Sequence, residues 1–301
     1  MRVFVTGASG WIGTAVLKEL RAAGHSVLGM AHSDAGAEKL KAEGVEFYRG
    51  DIRDPKCLVE GVRATDATIH LAFHMDFSDF PKMNEIDRHA IRTMLDAMAG
   101  TNKAFVGTSG TLALSMPGKV AFETDESSSS PLAVRLQAER LVVDAAKRGV
   151  RGSVIRLAPT VHGAGDKGFI AMLIDLAREK KAAGYVDDGD HHWPAVHRDD
   201  AARLYRLALE SAPPGTVLHG IAEEGITMRA IAETIAKGVG LPTKSVPGAE
   251  ADRHFGWMSM VVALDNRASN KATRELLGWT PEGPGLLDDM RAHYFGAGAP
   301  S

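Results

Sequence analysis

Short apolar, β-branched runs alternate with helical patterns through the first half of the chain. The runs 2–6 (RVFVT), 26–30, 45–49, 67–72, 103–108 and 152–157 read as strands, with helices between them at 11–23, 34–43, 54–63, 83–99 and 131–148. In the first helix Ile12, Val16, Leu20 and Ala23 form one stripe, and Gly24 is well placed to end it. Strands this short and apolar, each followed by a helix, imply a parallel sheet covered on both faces.

Beyond residue 160 the rhythm changes. A loop (VHGAGDKG) leads to a helix at 169–181, and a polar segment (AGYVDDGDHHWPAVH) leads to a helix at 199–211. A strand near 216–221 then returns to the main sheet, and 225–295 reads as helical and irregular. The expected organisation is an α/β, doubly wound parallel sheet over 1–160, rejoined by 195–221. A smaller C-terminal substrate lobe takes 161–194 and 222–301.

Composition changes this picture only by exclusion. The 301 residues are 45% hydrophobic and carry a formal charge of −3, so nothing favours a nucleic-acid backbone as partner. The single cysteine, Cys57, allows no intrachain disulfide and reads as a small apolar helix residue. No apolar run approaches the roughly 20 residues that span a bilayer, and the chain opens directly on a strand. A cytoplasmic protein acting on a small molecule is expected, with no membrane partner.

The first candidate chemistry is TGASGWIG, where Gly7, Gly10 and Gly13 follow the first strand and open the first helix. That context suits a dinucleotide pyrophosphate: one glycine for the turn, one for close backbone approach, one for helix–strand packing. The helix N-terminus adds free N–H groups.

The Gly-x-x-Gly-x-x-Gly spacing after Thr6 resembles the short-chain dehydrogenase/reductase superfamily, in its extended NAD(P)-dependent epimerase/dehydratase branch. GDI at 50–52, HLAF at 70–73, VGTSG at 106–110, RLAPTVHG at 156–163, WPAVHRDDAA at 193–202 and LLGWTP at 276–281 are similar to that branch in the same order. The resemblance implies a Rossmann-type fold. It implies cofactor contacts from Gly7, Ser9, Gly10, Trp11, Ile12 and Gly13, from His32 and Ser33, and from Asp51 and Ile52. Leu71, Ala72, Phe73, Thr108 and Arg135 complete the implied set.

NAD-binding members place an acid at the end of the second strand, on the ribose 2′-hydroxyl. Here Met30, Ala31 and His32 stand there, which favours NADP(H) over NAD(H), with His32 a weaker cation than the usual arginine. Asp34 is an offset acid or, the preferred reading, a cap for the next helix.

The superfamily's catalytic Tyr-x-x-x-Lys is missing from the sequence. Four residues after Tyr48, Tyr185, Tyr205 and Tyr294 stand Ile52, Gly189, Leu209 and Gly298. Aligned on Glu139, the tyrosine position holds Pro131 and the lysine position Arg135. Proline has no acid/base group, and a guanidinium bonds ribose but is a poor proton shuttle. Ser130 and Pro131 suit the cap and first position of a helix. Asp87 stands near the place of the branch's helix-four asparagine.

Ser109 and His74 are the catalytic candidates, the first to bond a substrate carbonyl and the second as a general acid. His162 replaces a family tyrosine, while His191, His192 and Tyr185 are weaker candidates and His197 reads as structural. His191, His192 and Asp190 match no metal-ligand spacing, so no metal is expected. Histidines where nucleotide-sugar enzymes carry a phosphate-binding arginine argue against that substrate.

The leading reading is an NADPH-dependent reductase of a small carbonyl or related unsaturated compound. Its rivals are a non-catalytic dinucleotide-binding sensor and an isomerase or lyase with tightly held cofactor. Stripes at Met83, Ile91, Met94 and Leu95, and at Leu132, Leu136 and Val143, suit either core or a homodimer through helices 83–99 and 131–148.

Overall fold

Seven short runs meet in one sheet: the inner ones, such as 2–6, 104–110 and 151–157, are buried nearly end to end, while the edge strand 46–49 (EFYR) is exposed at both ends. The computed structural model describes residues 1–73, 79–126 and 128–296. The sheet strands are β1 (Arg2–Thr6), β2 (Ser26–Ala31), β3 (Glu46–Arg49), β4 (Ala67–His70) and β5 (Ala104–Gly110). After the short β6 (Val120–Ala121) comes β7 (Arg151–Leu157), and β11 (Thr216–Gly220) completes the sheet. Their order is β11-β7-β5-β4-β1-β2-β3, and every pairing is parallel.

The helices α1 (Trp11–Ala22), α2 (Asp34–Ala42), α3 (Pro55–Arg63), α4 (Phe80–Met98), α5 (Leu136–Asp144) and α7 (Arg198–Ser211) cover the sheet. Strand alternation divides the core. Val3 and Val5 pack with Val16, Leu20 and Leu204 on one face, while Phe4 packs with Leu58, Met94 and Val142 on the other. The chain leaves β1 toward β2 and β3, then crosses back to β4 on the other side of β1. This reversal opens a crevice at the carboxyl ends of β1 and β4.

The remaining strands are β8 (Thr160–His162), β9 (Ala183–Val186), β10 (His192–His197), β12 (Glu223–Thr227), β13 (Thr243–Val246) and β14 (Arg267–Ala268). They form a three-stranded sheet, β12-β10-β8, and the pairs β13-β9 and β14-β6. With α6 (Phe169–Lys180), α8 (Met228–Val239), α9 (Ala251–Phe255), α10 (Ser259–Val262) and α12 (Leu286–His293) they enclose a separate core around Trp193, Ile231 and Phe255. The segment 225–295 thus holds more strand than its sequence pattern suggests. α11 (Lys271–Leu277) packs instead beside β11. No helix among the described residues is long and apolar enough to cross a membrane.

Two helix boundaries depart from the sequence pattern. α4 begins at Phe80 rather than 83, because Asp79 caps it by accepting from Lys82 N at 3.1 Å and Pro81 fits its first turn. The helix read at 131–148 is α only over Leu136–Asp144, with 3₁₀ turns at Ala133–Arg135 and Ala145–Arg148. Ser130 stands at the N-cap position of neither the first 3₁₀ turn nor α5. Its hydroxyl donates to Leu112 O at 2.7 Å and accepts from Leu132 N at 3.2 Å, tying this stretch to the exit of β5. Met83, Ile91, Met94, Leu95, Leu132 and Leu136 are buried within the chain. Of the two stripes only Val143 is half-buried, so a dimer through α4 and α5 would use it or other positions on those helices.

Candidate active site

Gly7 has φ +67°, and a Cβ there would lie 2.7 Å from Ala72 N, so only glycine lets the loop meet the exit of β4. A Cβ at Gly13 would fall well inside contact with the Gly7 carbonyl oxygen, so the helix packs directly on the turn. Gly10 stands at the N-cap of α1 with no side-chain cap, leaving the first-turn amides to an anion.

A groove of about 340 Å³ opens from this turn, lined by Gly7, Ser9, Gly10, Met30, His32, Asp51, Ile52, Arg53, Leu71, Ala72 and Phe73. Trp11 lies in the neighbouring groove beneath the Arg198 guanidinium, 4.3 Å from its ring, and Ile12 packs on the core. The Arg53 guanidinium takes both oxygens of Asp51 at 2.9 and 2.7 Å and holds that carboxyl down to about 2. Cations ring the same end: Lys39 Nζ donates to Ser9 O at 3.0 Å, and Arg49 pairs with exposed Asp34 at 3.0 Å. Ser33, not Asp34, caps α2, accepting from Gly36 N at 3.1 Å.

Across the crevice a buried chain of polar groups runs from β1 to Arg135. Thr6 faces His70 in register. Thr6 Oγ1 accepts from the amides of Leu71 and Ala72, each at 3.2 Å, so its proton goes to His70 Nδ1 at 2.7 Å. That directs Nε2–H toward Asp87 Oδ1, 3.2 Å away. Asp87 Oδ2 accepts from Arg135 Nη1 at 3.3 Å. Arg135 Nη2 donates to Thr108 O at 3.1 Å, and its guanidinium lies 4.1 Å over the Phe73 ring. Thr108 Oγ1 donates to His70 O and receives the Tyr205 hydroxyl, both at 2.7 Å. Burial drives the Tyr205 phenol well above its ordinary range, which removes it as an acid/base group.

Ser109 follows Thr108 and points to the opposite face. A Cβ on Gly107 would touch Val142 of α5 at 3.2 Å, and strand alternation gives Ser109 the same side. Its hydroxyl is buried and has no hydrogen-bond partner among the described residues. His74 lies outside the described residues.

The other candidates fall elsewhere. His162 is fully buried, with Nδ1 2.8 Å from Asp289 Oδ2, so it faces the C-terminal helix rather than the groove. Tyr185 sits in β9 under the Arg229 guanidinium, 5.2 Å from its ring, and does not line the groove. His192 packs against Arg267 at 3.0 Å and Asp265 at 3.3 Å, and His191 precedes it with Nδ1 buried and unpartnered. His197 caps α7, accepting from Asp199 N at 3.3 Å. Among the described residues no three His, Cys, Asp or Glu side chains converge on a metal position.

Sequence reasoning missed Lys39 and Arg53, and it gave no buried hydrogen-bonding role to Thr6, His70 or Tyr205. A histidine ending the apolar run ATIH, and an arginine two residues after Asp51, were the available signals.

A glycine cradle at the switch point of a doubly wound parallel sheet defines a dinucleotide-binding protein of the Rossmann class. The residues fit the group: the cradle has no room for a Cβ at Gly7 or Gly13, and the first-turn amides of α1 have no side-chain cap. The chain belongs to the NAD dependent epimerase/dehydratase family, whose profile matches residues 3–219. It is 42% identical over 296 residues to an uncharacterized protein of Saccharomyces cerevisiae, covering 98% of this chain and 99% of that one. It is 27% identical to a 4-hydroxy-2-methyl-3-oxo-4-farnesyl-3,4-dihydroquinoline-1-oxide ketoreductase of Stigmatella aurantiaca, over 87% of this chain and 82% of that one. In fold it is similar to the UDP-glucose 4-epimerase of Thermus thermophilus in complex with NAD, with a TM-score of 0.77 at 21% identity over 97% of both chains.

Proposed function

We propose that the protein is an NADP(H)-dependent reductase of a small carbonyl or related unsaturated compound. The observation that carries this reading is Ser109. A buried hydroxyl with no partner costs stability, and this one, unpartnered among the described residues, stands one residue beyond the carbonyl that receives Arg135. A substrate oxygen there would take the Ser109 proton into a hydrogen bond that strengthens as negative charge develops.

When bound, the cofactor supplies the hydride. The chain's part is to orient both reactants and exclude water. Arg135 suits ribose hydroxyls, and Pro131 can donate nothing. The proton for the product alkoxide then comes from His74 or from a water held by Ser109. The NADP(H) preference rests on the end of β2, where Met30, Ala31 and His32 offer no acid, with Arg53 lining the same groove beside Asp51 and Lys39 donating to Ser9 O at its edge. The ketoreductase named above lends support from sequence.

The test is a panel of aldehydes, ketones and activated alkenes with NADPH and NADH, following cofactor absorbance. Turnover of at least one small carbonyl with NADPH, at a rate above that with NADH, is expected. Tight NADPH binding without turnover across the panel would favour the non-catalytic sensor instead. Cofactor retained through purification, with no net redox change, would favour an isomerase or lyase.

A further inference from the structure

Asp87 and Arg135 form an ion pair in which the carboxylate is 3% and the guanidinium 14% exposed. The reductase reading needs Arg135 only as a ribose ligand and gives Asp87 no task. Yet a carboxylate is costly to bury, and Asp87 is held on its other side by a histidine whose tautomer is already fixed by Thr6. The fixed Nε2–H prevents the imidazole from accepting at that position, so Asp87 Oδ1 stays an acceptor and Oδ2 is left for Arg135.

The pair also has a definite address. The groove runs from His32 and Asp51 across the switch point to Leu71, Ala72 and Phe73, and Arg135 covers the Phe73 ring. Dinucleotides straddle the switch point with one nucleoside on each side. His32, Asp51 and Arg53 line the end beside β2 and β3, the adenosine side of the NADP(H) reading, so the nicotinamide half belongs on the side of β4 and β5.

We infer that Asp87 is a positioning and charge-balancing residue: it orients Arg135 and cancels its charge beside the nicotinamide, setting the relative affinity for oxidised and reduced cofactor. The oxidised ring is cationic and the reduced ring is neutral. An uncompensated guanidinium would repel only the oxidised form, and an uncompensated carboxylate would attract only that form. The inference rests on the NADP(H) reading, and a purely structural role for Asp87 would weaken both forms alike.

The experiment measures Kd for NADP⁺ and NADPH by calorimetry at pH 8 for the wild type, Asp87→Asn, Arg135→Gln and the double variant. Asp87→Asn is expected to raise the ratio Kd(NADP⁺)/Kd(NADPH) by about fivefold or more. Arg135→Gln is expected to lower it, and the double variant to return it near the wild-type value. Equal loss of both forms in Asp87→Asn, or ratios that move the same way in both single variants, would overturn the inference. If Asp87→Asn does not fold, the direction of the Arg135→Gln shift decides it alone, and an unchanged or raised ratio overturns it. If the wild type binds neither NADP⁺ nor NADPH, the cofactor reading fails first, before any variant is compared.

Discussion

Arg156 places both Nε and Nη2 on a single oxygen of Glu139, Oε2, at 2.9 and 2.7 Å. Both side chains are buried, and the pair ties β7 to α5 beneath the site. Arg156 also donates to Asp125 O at 2.8 Å, so the guanidinium serves the loop before α5 as well. Glu139→Ala leaves a buried cation without its partner and should cost about 3–5 kcal/mol in denaturant unfolding. The double replacement Glu139→Leu with Arg156→Met should recover most of that loss.

His219 should make stability fall in mild acid. Burial, then the charge of Arg156, lower its pKa from 6.5 to about 4. Between those values the unfolded chain holds a proton that the folded chain refuses. Stability is therefore full above about pH 6.5 and declines as pH falls toward 4, by about 2 kcal/mol between pH 7.5 and 5. His219→Gln should flatten this part of the profile, read as unfolding free energy against pH.

Ser109→Ala should separate stability from function. Removing an unpartnered buried hydroxyl should raise unfolding free energy by up to about 1 kcal/mol. Turnover should fall by about a hundredfold, since a donor to the developing oxyanion is lost. NADPH affinity should stay unchanged. A more stable variant with full activity would remove Ser109 from the chemistry.

Gly13→Ala tests the cradle. The added methyl must push the Gly7 carbonyl away, an overpacking that should cost about 1–3 kcal/mol of stability. The displaced turn should bind NADPH about tenfold more weakly in a fluorescence titration.

Arg53→Ala tests cofactor choice. If the cations at the end of β2 serve a 2′-phosphate, NADPH affinity should drop about tenfold while NADH affinity moves little. Equal effects on the two would assign Arg53 to Asp51 alone, whose carboxyl it holds down to about 2.

The sheet was legible because its strands are local apolar runs and its helices carry their own stop signals. The cradle was legible because glycine spacing records where a Cβ cannot stand. α4 starts three residues before the 83–99 pattern because its first turn is set by the Asp79 cap and by Pro81, not by apolar periodicity. Around Pro131 the Ser130 hydroxyl accepts from Leu132 N as a cap would, but regular α-helix begins only at Leu136, and the same hydroxyl donates to Leu112 O, on a segment distant in sequence.

By itself, the sequence determined the doubly wound order of elements, the glycine cradle, the missing acid at the end of β2 and the loss of the tyrosine and lysine. Those are properties of neighbouring residues or of residue identity at one position. Tertiary structure alone decided that Thr6, His70, Asp87 and Arg135 form one buried chain, and that Ser109 is left without a partner among the described residues. These relations join residues from separate strands and helices, through hydrogen bonds whose direction and burial exist only once the strands are in register.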